Sequence, residues 1–318
     1  MPPRNKTKHK QKTRNENQER KEALLDDVIQ HMPTMILHIV WEYARVRERH
    51  FQGSSALEIR HNVESLHRLG QYLVTVRGIS YAISLYEGGK QLWDRIIPNA
   101  SDVAVYSDQI FVSTGNDCTV EVLSKDGTRV KSLKTCGKET TCVNVTLTHI
   151  YFVDVSTRED QIVWRMDREG GRIEQIAHWR NATGYSEIVG LKVVDDIVYV
   201  ANNDFNNDRW KVCAYSQGRV VQEWSEKGWR IRHSGGMTVS ARNVLILVML
   251  WSDRKSRSRV LSLLPDGSTE QVQFMPPRPR SELLCSIVGD ERDSILYLAD
   301  VDGVVHRYED LSSRALLS

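Results

Sequence analysis

The densest group of side chains that could bind an anion lies between residues 252 and 259. This segment reads Ser-Asp-Arg-Lys-Ser-Arg-Ser-Arg and carries the cations Arg254, Lys255, Arg257 and Arg259. Guanidinium and ammonium groups at this density pair with phosphates or carboxylates. The pattern predicts a basic loop that meets an acidic protein partner or an RNA backbone. The alternative is a solvated hairpin loop with no partner.

The chain lacks the short motifs that mark common catalytic and cofactor sites. It contains no GxxxxGK[ST] or GxGxxG nucleotide loop, no GxSxG nucleophile elbow and no HExxH zinc motif. Its five cysteines are widely spaced and form no CxxC pair, which is typical of free thiols in a reducing compartment. No catalytic residue and no resident cofactor are therefore predicted from motifs.

Composition and charge patterning exclude several broad classes. Lys plus Arg number 43 and Asp plus Glu 41, so the net charge of +2 does not indicate a bulk polycation that coats nucleic acid. The longest apolar run, Val244–Trp251, is far shorter than the roughly 18 residues of a membrane helix. The chain opens with charged residues and no apolar leader. We expect a cytoplasmic or nuclear monomer that is neither secreted nor inserted in a membrane.

Residues 1–22 differ from the rest of the chain. They carry eight Lys and Arg against three Glu and almost no apolar residue. Such a segment cannot offset the entropy of ordering, so a disordered basic tail is predicted. The cations indicate either a nuclear-targeting or nucleic-acid-touching arm or a solvated leader without a role.

Residues 23–47 follow a helical pattern. Apolar residues recur at steps of three and four, which places them on one face of a helix. Pro33 interrupts the pattern, because proline is tolerated in the first turn of a helix and not in its middle. The segment is predicted to form two short helices with a break near residues 31–33.

Part of this segment resembles the start of an F-box. The string at residues 32–43, Met-Pro-Thr-Met-Ile-Leu-His-Ile-Val-Trp-Glu-Tyr, has a proline followed by spaced aliphatics that end near a tyrosine. The resemblance implies docking on a ubiquitin-ligase adaptor through Pro33, Ile36, Leu37, Val40 and Tyr43. The alternative is a helix whose apolar face packs as core on the domain that follows.

From residue 48 onward the chain alternates β-rich runs with turn signals. One apolar run recurs six times, at intervals of 38 to 51 residues, beginning at Tyr72, Ile110, Ile150, Ile197, Val244 and Ile295. Most of these runs are preceded by a shorter apolar stretch and followed by two more runs around a Gly turn. The Gly turns are Glu87–Gly89, Lys125–Gly127, Glu169–Gly171, Ser216–Gly218 and Pro265–Gly267.

Six units of four short strands predict an all-β, six-bladed β-propeller of four-stranded antiparallel blades over residues 48–318. A single four-stranded sheet cannot bury both of its faces, whereas blades stacked around an axis cover one another. The sixth unit has no clear fourth strand after Tyr308. Either residues 50–54 or residues 315–318 are expected to supply it and close the ring.

The repeat resembles that of NHL-like and TolB-like six-bladed propellers. The match is clearest at Val103–Ser113, with the strand Thr119–Leu123 and the turn Asp126-Gly127 after it. The resemblance implies a rigid ring whose mouth or rim recognises a protein partner. A basic mouth would instead favour an RNA-binding propeller of the NHL type.

The same architecture also occurs in gluconolactonase-like hydrolases. These enzymes hold a divalent cation at the propeller mouth with carboxylate and amide oxygens, and the cation polarises a lactone or ester carbonyl. The resemblance implies a Ca²⁺ site, for which Glu187, Asn144, Asn202 and Asp300 could supply oxygens. A metal-dependent lactonase or esterase is therefore the alternative function.

Overall fold

Short β-strands joined by tight turns make up the regular structure of the described chain. The computed structural model describes residues 50–58, 65–69, 71–77, 82–157, 160–180, 186–232, 236–240, 243–250, 257–275, 284–289, 295–300 and 304–310. Within these ranges there is no helix, and therefore no helix that could cross a membrane. The basic tail and the F-box-like segment lie outside the described residues.

The strands form six sheets that follow one another along the chain, and neighbouring strands are antiparallel except for one added strand in blade 6. Blades 1 and 2 comprise β2 (Ser65–Leu69), β3 (Tyr72–Arg77), β4 (Ala82–Glu87) and β5 (Lys90–Ile96), then β6 (Ala100–Tyr106), β7 (Gln109–Thr114), β8 (Thr119–Ser124) and β9 (Arg129–Lys134). Blades 3 and 4 comprise β10 (Thr140–Val145), β11 (His149–Thr157), β12 (Asp160–Asp167) and β13 (Ile173–Arg180), then β14 (Ser186–Val194), β15 (Ile197–Asp204), β16 (Arg209–Ser216) and β17 (Arg219–Lys227).

Blades 5 and 6 depart from the simple four-strand order. Blade 5 comprises β18 (Arg230–Ile231), β19 (Met237–Ser240), β20 (Asn243–Leu250), β21 (Arg257–Leu263) and β22 (Thr269–Gln271). Both β18 and β19 pair with β20, so the innermost strand of this blade is interrupted. Blade 6 comprises β24 (Leu284–Gly289), β25 (Ile295–Asp300), β26 (Val304–Asp310), β1 (His50–Glu58) and β23 (Gln273–Met275).

The ring is closed by the first strand of the described chain. β1 runs antiparallel to β26 from Phe51↔Asp310 to Glu58↔Val304, and so becomes the fourth strand of blade 6. β23 then pairs with β1 in parallel and adds a fifth strand outside it. Of the two closing segments expected from the sequence, residues 50–54 are confirmed as part of the closing strand.

Six apolar clusters hold the ring together, one between each pair of neighbouring blades among the described residues. The cluster around Val74 and Ile110 joins blade 1 to blade 2, and similar clusters continue around the ring. The last cluster contains Leu66 of blade 1 and Val305 of blade 6, so the first and last blades also meet. Burial of both faces of each sheet is the main stabilising term for this architecture.

The six recurring runs predicted from the sequence are confirmed as the second strand of each blade: β3, β7, β11, β15, β20 and β25. These strands lie between neighbours within the sheet and between blades on both faces. In blade 5, the run from Val244 to Val248 is buried at every position. Continuous apolar runs of this kind are typical of strands covered on both faces.

Candidate functional site

Polar side chains of one blade hold the backbone of the next blade near the axis. The Val143 N–H donates to Asp102 Oδ2 at 3.0 Å, which links blade 3 to blade 2. The Leu66 N–H donates to Ser286 Oγ at 2.8 Å, which links blade 1 to blade 6. These bonds fix the innermost strands relative to one another, because each satisfies a buried backbone donor.

Longer side chains make the same kind of link with two bonds each. Gln161 Nε2 donates to the Ser186 carbonyl at 2.8 Å, and the Ile188 N–H donates to Gln161 Oε1 at 2.7 Å. Asn203 bonds both backbone groups of Ile231, each at 2.8 Å. The frame around the axis is thus built from hydrogen bonds across the blade junctions in addition to apolar packing.

The innermost strands of all six blades enclose a central channel. The channel has a volume of about 350 Å³, and its polar lining comes from His67, Arg68, Asn144, Lys192 and Thr238. His67 and Arg68 belong to blade 1, whereas Asn144, Lys192 and Thr238 belong to blades 3, 4 and 5. The channel therefore has a mixed polar wall, with cations contributed by opposite sides of the ring.

His67 is a titratable group of the channel whose pKa is strongly shifted. Its ring is buried, and its Nε2 contacts the Ser65 hydroxyl. Burial lowers the pKa of His67 well below its ordinary value of 6.5, and the positive charge of Lys192 lowers it further. The nearest Asp102 oxygen stands 3.9 Å away, beyond hydrogen-bonding distance, and does not offset these effects. At neutral pH the ring is uncharged.

The structure places the four expected oxygen ligands of a cation in different surroundings. Asn144 lines the channel, and Glu187 lies on the innermost strand of blade 4. Asn202 lies between blades 3 and 4. Asp300 is buried within blade 6, where its carboxylate accepts from the Val304 N–H at 2.9 Å and stands 3.1 Å from His306 Nε2. Within the described ranges, no group of three or more His, Cys, Asp or Glu side chains is arranged to hold a metal ion.

Two of the four cations of the expected basic loop, Arg257 and Arg259, fall in the described chain. Arg259 forms an ion pair with Glu226, and its guanidinium lies 4.1 Å from the centre of the Trp229 ring. Arg257 begins β21 and is exposed. Arg254 and Lys255 lie outside the described residues, as do Pro33, Ile36, Leu37, Val40 and Tyr43. Arg259 is therefore engaged in the packing of blades 4 and 5.

A groove at the outer edge of blades 1 and 2 exposes large apolar side chains. Leu92 is 44% exposed and Ile96 is 73% exposed, both on β5. Between them, Trp93 Nε1 donates to the Lys125 carbonyl at 2.8 Å. Hollows of about 530 Å³ and 400 Å³ lie on either side of this contact. We call the surface formed by Leu92, Trp93, Ile96 and the turn Lys125–Gly127 the rim groove.

Sequence reasoning missed the rim groove. The segment Lys90–Ile96 reads Lys-Gln-Leu-Trp-Asp-Arg-Ile and shows no regular alternation of polar and apolar residues, and nearly the whole strand is exposed. The strand lies at the outer edge of its sheet, and only Trp93 is anchored between the blades. The available signal in the sequence was the pair of apolar residues, Leu92 and Ile96, that flank Trp93 in an outer strand.

A second polar hollow lies between blades 3 and 4. This crevice has a volume of about 340 Å³ and is lined by Ser186, Asn202 and Lys211 of blade 4 and by Trp179 of blade 3, among others. In its wall, burial raises the pKa of the Cys213 thiol to about 11, and burial also raises the pKa of Tyr215. The inner wall of the crevice is therefore poorly solvated.

No protein-family model matches the chain, and no curated protein matches it by sequence. Among solved structures it is similar to hydrazine synthase of Kuenenia stuttgartiensis, with a TM-score of 0.56 and 10% identity over 78% of this chain and 76% of that one. It is also similar to the WD40 β-propeller domain of Doa1 (TM-score 0.49, 12% identity, 83% and 98% covered). For BamB of Moraxella catarrhalis the TM-score is 0.48 at 10% identity, with 81% and 99% covered.

At such identities the similarity concerns the fold alone. The strand order of the described residues defines a six-bladed β-propeller of four-stranded antiparallel blades, as predicted from the repeats. The assignment to the NHL-like or TolB-like type stays a prediction, and so does the F-box-like segment.

Proposed function

We propose that this propeller is a protein-interaction scaffold and that its partner binds at the rim groove. One observation carries the proposal: Leu92 and Ile96 are exposed on both sides of a tryptophan at the edge of the ring. Exposed apolar side chains grouped beside hollows mark binding surfaces more often than scattered ones do. Aromatic residues such as Trp93 are also the usual anchors of protein interfaces.

The expected partner is an extended segment that adds a strand to blade 1. β5 is the outer strand of its sheet, so its outward backbone groups can pair with another chain. The protein already uses this mode internally, because β23 adds in parallel to β1 at the outer edge of blade 6. An extended partner would place apolar side chains against Leu92, which lies at an irregularity of the strand, and against Ile96.

The charges on β5 indicate which side chains the partner should carry between its apolar positions. Lys90 and Arg95 are both exposed on this strand. Across the groove, Arg129 is largely exposed although it pairs with Glu121 at 2.6 Å. The hollows are also lined by Asp108, Asp117, Glu121 and Asp126, so a matching partner carries charges of both signs between its apolar positions.

The test is quantitative capture from native cells with the full-length chain as bait. Ile96→Asp places a charge in the groove, and Val221→Asp, on the outer strand of blade 4, is the matched control because Val221 is 54% exposed. We expect Ile96→Asp to weaken capture of specific partners by at least about tenfold and Val221→Asp to leave it unchanged. Equal recovery with both variants would rule out the rim groove as the docking site.

We further propose that the F-box-like residues connect this scaffold to a ubiquitin ligase. The proposal rests on the resemblance of residues 32–43 to the start of an F-box. It predicts that Ile36→Asp combined with Val40→Asp removes ligase components from the captured set and leaves rim-groove partners bound. If the double variant loses its cooperative thermal transition, the segment packs on the propeller instead.

A further inference from the structure

Asn202 is a buried amide that no other described residue satisfies. It is 0% exposed, and neither its Nδ2 nor its Oδ1 has a hydrogen-bond partner among the described residues. Its neighbour Asn203 is 5% exposed, and its amide bonds both backbone groups of Ile231. Buried polar side chains nearly always have partners, so the Asn202 amide requires one from outside the described residues, such as a water or a ligand.

Asn202 lies at the inner wall of the crevice between blades 3 and 4. The Ser186 hydroxyl lines the same crevice and likewise has no partner within the described chain. Together the two side chains offer an amide donor, an amide acceptor and a hydroxyl that can act as either. A hollow of about 340 Å³ is at the lower end of the range for small-ligand sites.

The charged side chains of the crevice are paired with one another. Arg209 Nε stands 3.4 Å from Asp204 Oδ2, and Lys211 Nζ stands 2.6 Å from Glu223 Oε2. Among the described lining residues, Arg209 and Lys211 each face a carboxylate, and His178 pairs with Asp160, so these groups leave little net charge to attract an ion. The unsatisfied groups are neutral, and the complementary ligand is therefore a neutral molecule that both donates and accepts hydrogen bonds.

We propose that this crevice binds a primary carboxamide through Asn202 and Ser186. A carboxamide can donate to Asn202 Oδ1 and accept from Asn202 Nδ2 at the same time, which is the reciprocal pairing of two amides. Lys211 lies directly opposite Asn202 in the register of β15 and β16, and its ammonium lies 5.4 Å from the centre of the Trp179 ring. Its partly exposed ion pair with Glu223 is of a kind that contributes little, so Lys211 can move aside to admit the ligand.

The carboxamide has two possible sources: the side chain of a glutamine or asparagine in a polypeptide, or a free small amide. The probes are acetyl-glutamine methylamide for the first source and propionamide for the second. Acetyl-glutamate methylamide is the control, since it has the same shape and carries a charge. Saturation-transfer NMR with the full-length protein measures binding of each probe at millimolar concentration.

We expect transfer to acetyl-glutamine methylamide and little to its glutamate analogue. Comparable transfer to propionamide identifies a free amide as a sufficient ligand, whereas its absence identifies the polypeptide source. Asn202→Leu should weaken binding by about tenfold, as expected for the loss of paired hydrogen bonds. Ser186→Ala should weaken it less. Exposed Asn116, on the β7–β8 turn, provides the control variant Asn116→Ala, which should bind as wild type.

Thermal unfolding separates a ligand-binding role from a structural one. If Asn202 has no role in the fold, Asn202→Leu melts at or above the wild-type temperature, while Asn203→Leu melts lower. The proposal is overturned if Asn202→Leu is destabilised as much as Asn203→Leu. It is also overturned if neither amide probe shows transfer, or if transfer is unchanged in both the Asn202 and the Ser186 variants.

Discussion

Asn203 of blade 4 holds Ile231 of blade 5 by both of its backbone polar groups, each at 2.8 Å. The side-chain amide takes the place of a neighbouring strand, since Ile231 belongs to a strand of only two residues. This pair therefore supports the innermost part of blade 5, where the strand is interrupted between β18 and β19.

Replacing Asn203 should destabilise the ring. Asn203→Leu keeps the approximate volume but leaves the Ile231 N–H and carbonyl without their partners. Each unsatisfied buried group costs about 1–3 kcal/mol, so we expect the free energy of unfolding to fall by about 2–4 kcal/mol. Urea denaturation measures this change. Asn116→Ala, at an exposed turn, should stay within about 0.5 kcal/mol of wild type, and a similar loss there would contradict the interpretation.

His67 should make stability depend on pH. Burial and the charge of Lys192 lower the pKa of His67 in the folded state, so the unfolded chain binds its proton first as the pH falls. The contribution of neutral His67 to stability is therefore complete above about pH 6.5, the pKa of histidine in the unfolded chain. It is lost as the pH drops below that value. The loss approaches about 1.4 kcal/mol per pH unit for one proton. Denaturation at a series of pH values measures the slope.

His67→Gln provides the control for that slope. Glutamine can keep a contact with the Ser65 hydroxyl but does not titrate, so its stability should vary less between pH 6.5 and pH 5. An unchanged slope would show that other groups set the acid sensitivity.

The sequence predicts best the strands whose two faces are both buried by neighbouring blades. The second strands of the blades were predictable because they are buried on both faces, as with Val244–Val248 of β20. The sequence offers two segments as the fourth strand of blade 6 and does not distinguish them, because this strand comes from the opposite end of the propeller chain. Pairing across about 250 residues leaves no local signal in the sequence.

The candidate sites were harder to predict than the strands. Asn202 and Asn203 are adjacent and chemically identical, yet one is satisfied by the next blade and the other faces the crevice. The direction of each side chain depends on the strand register and on the irregularity between Ile188 and Gly190 in the neighbouring strand. Asn144 lies near the end of β10 and Asn202 near the end of β15, but the first lines the channel and the second a blade junction.

Gly127 should be intolerant of a side chain because it lies under the rim groove. Its φ is +82°, and a Cβ there would stand 3.1 Å from the Trp93 ring. Gly88 has a φ of +51° and nothing within 4 Å of such an atom. Gly88→Ala therefore measures only the cost of a side chain at positive φ. We expect Gly88→Ala to lower the free energy of unfolding by about 1 kcal/mol and Gly127→Ala by about 2–4 kcal/mol. Equal losses would show that Trp93 moves freely.

The thiols should react in an order set by burial. Cys136 is exposed and Cys118 is partly exposed, with its Sγ donating to the Lys138 carbonyl at 2.9 Å. Cys142, Cys213 and Cys285 are buried, and burial raises the pKa of Cys213 to about 11. Time-resolved labelling with a disulfide reagent at pH 8 should modify Cys136 first, then Cys118. The buried three should react only as fast as the blades open. Rapid labelling of Cys213 would indicate local opening between blades 3 and 4.

The closing strand should be essential for folding. A chain that begins at residue 49 retains β1, whereas one that begins at residue 59 lacks it and exposes the edges of both β26 and β23. Open sheet edges promote aggregation, and blade 6 would lose the strand that completes it. We expect the longer chain to unfold in a single thermal transition and the shorter one to lose that transition or aggregate. Addition of a synthetic peptide of residues 49–58 should restore part of the transition, because the missing strand pairs through its backbone. Folding of the shorter chain on its own would show that three strands suffice for blade 6.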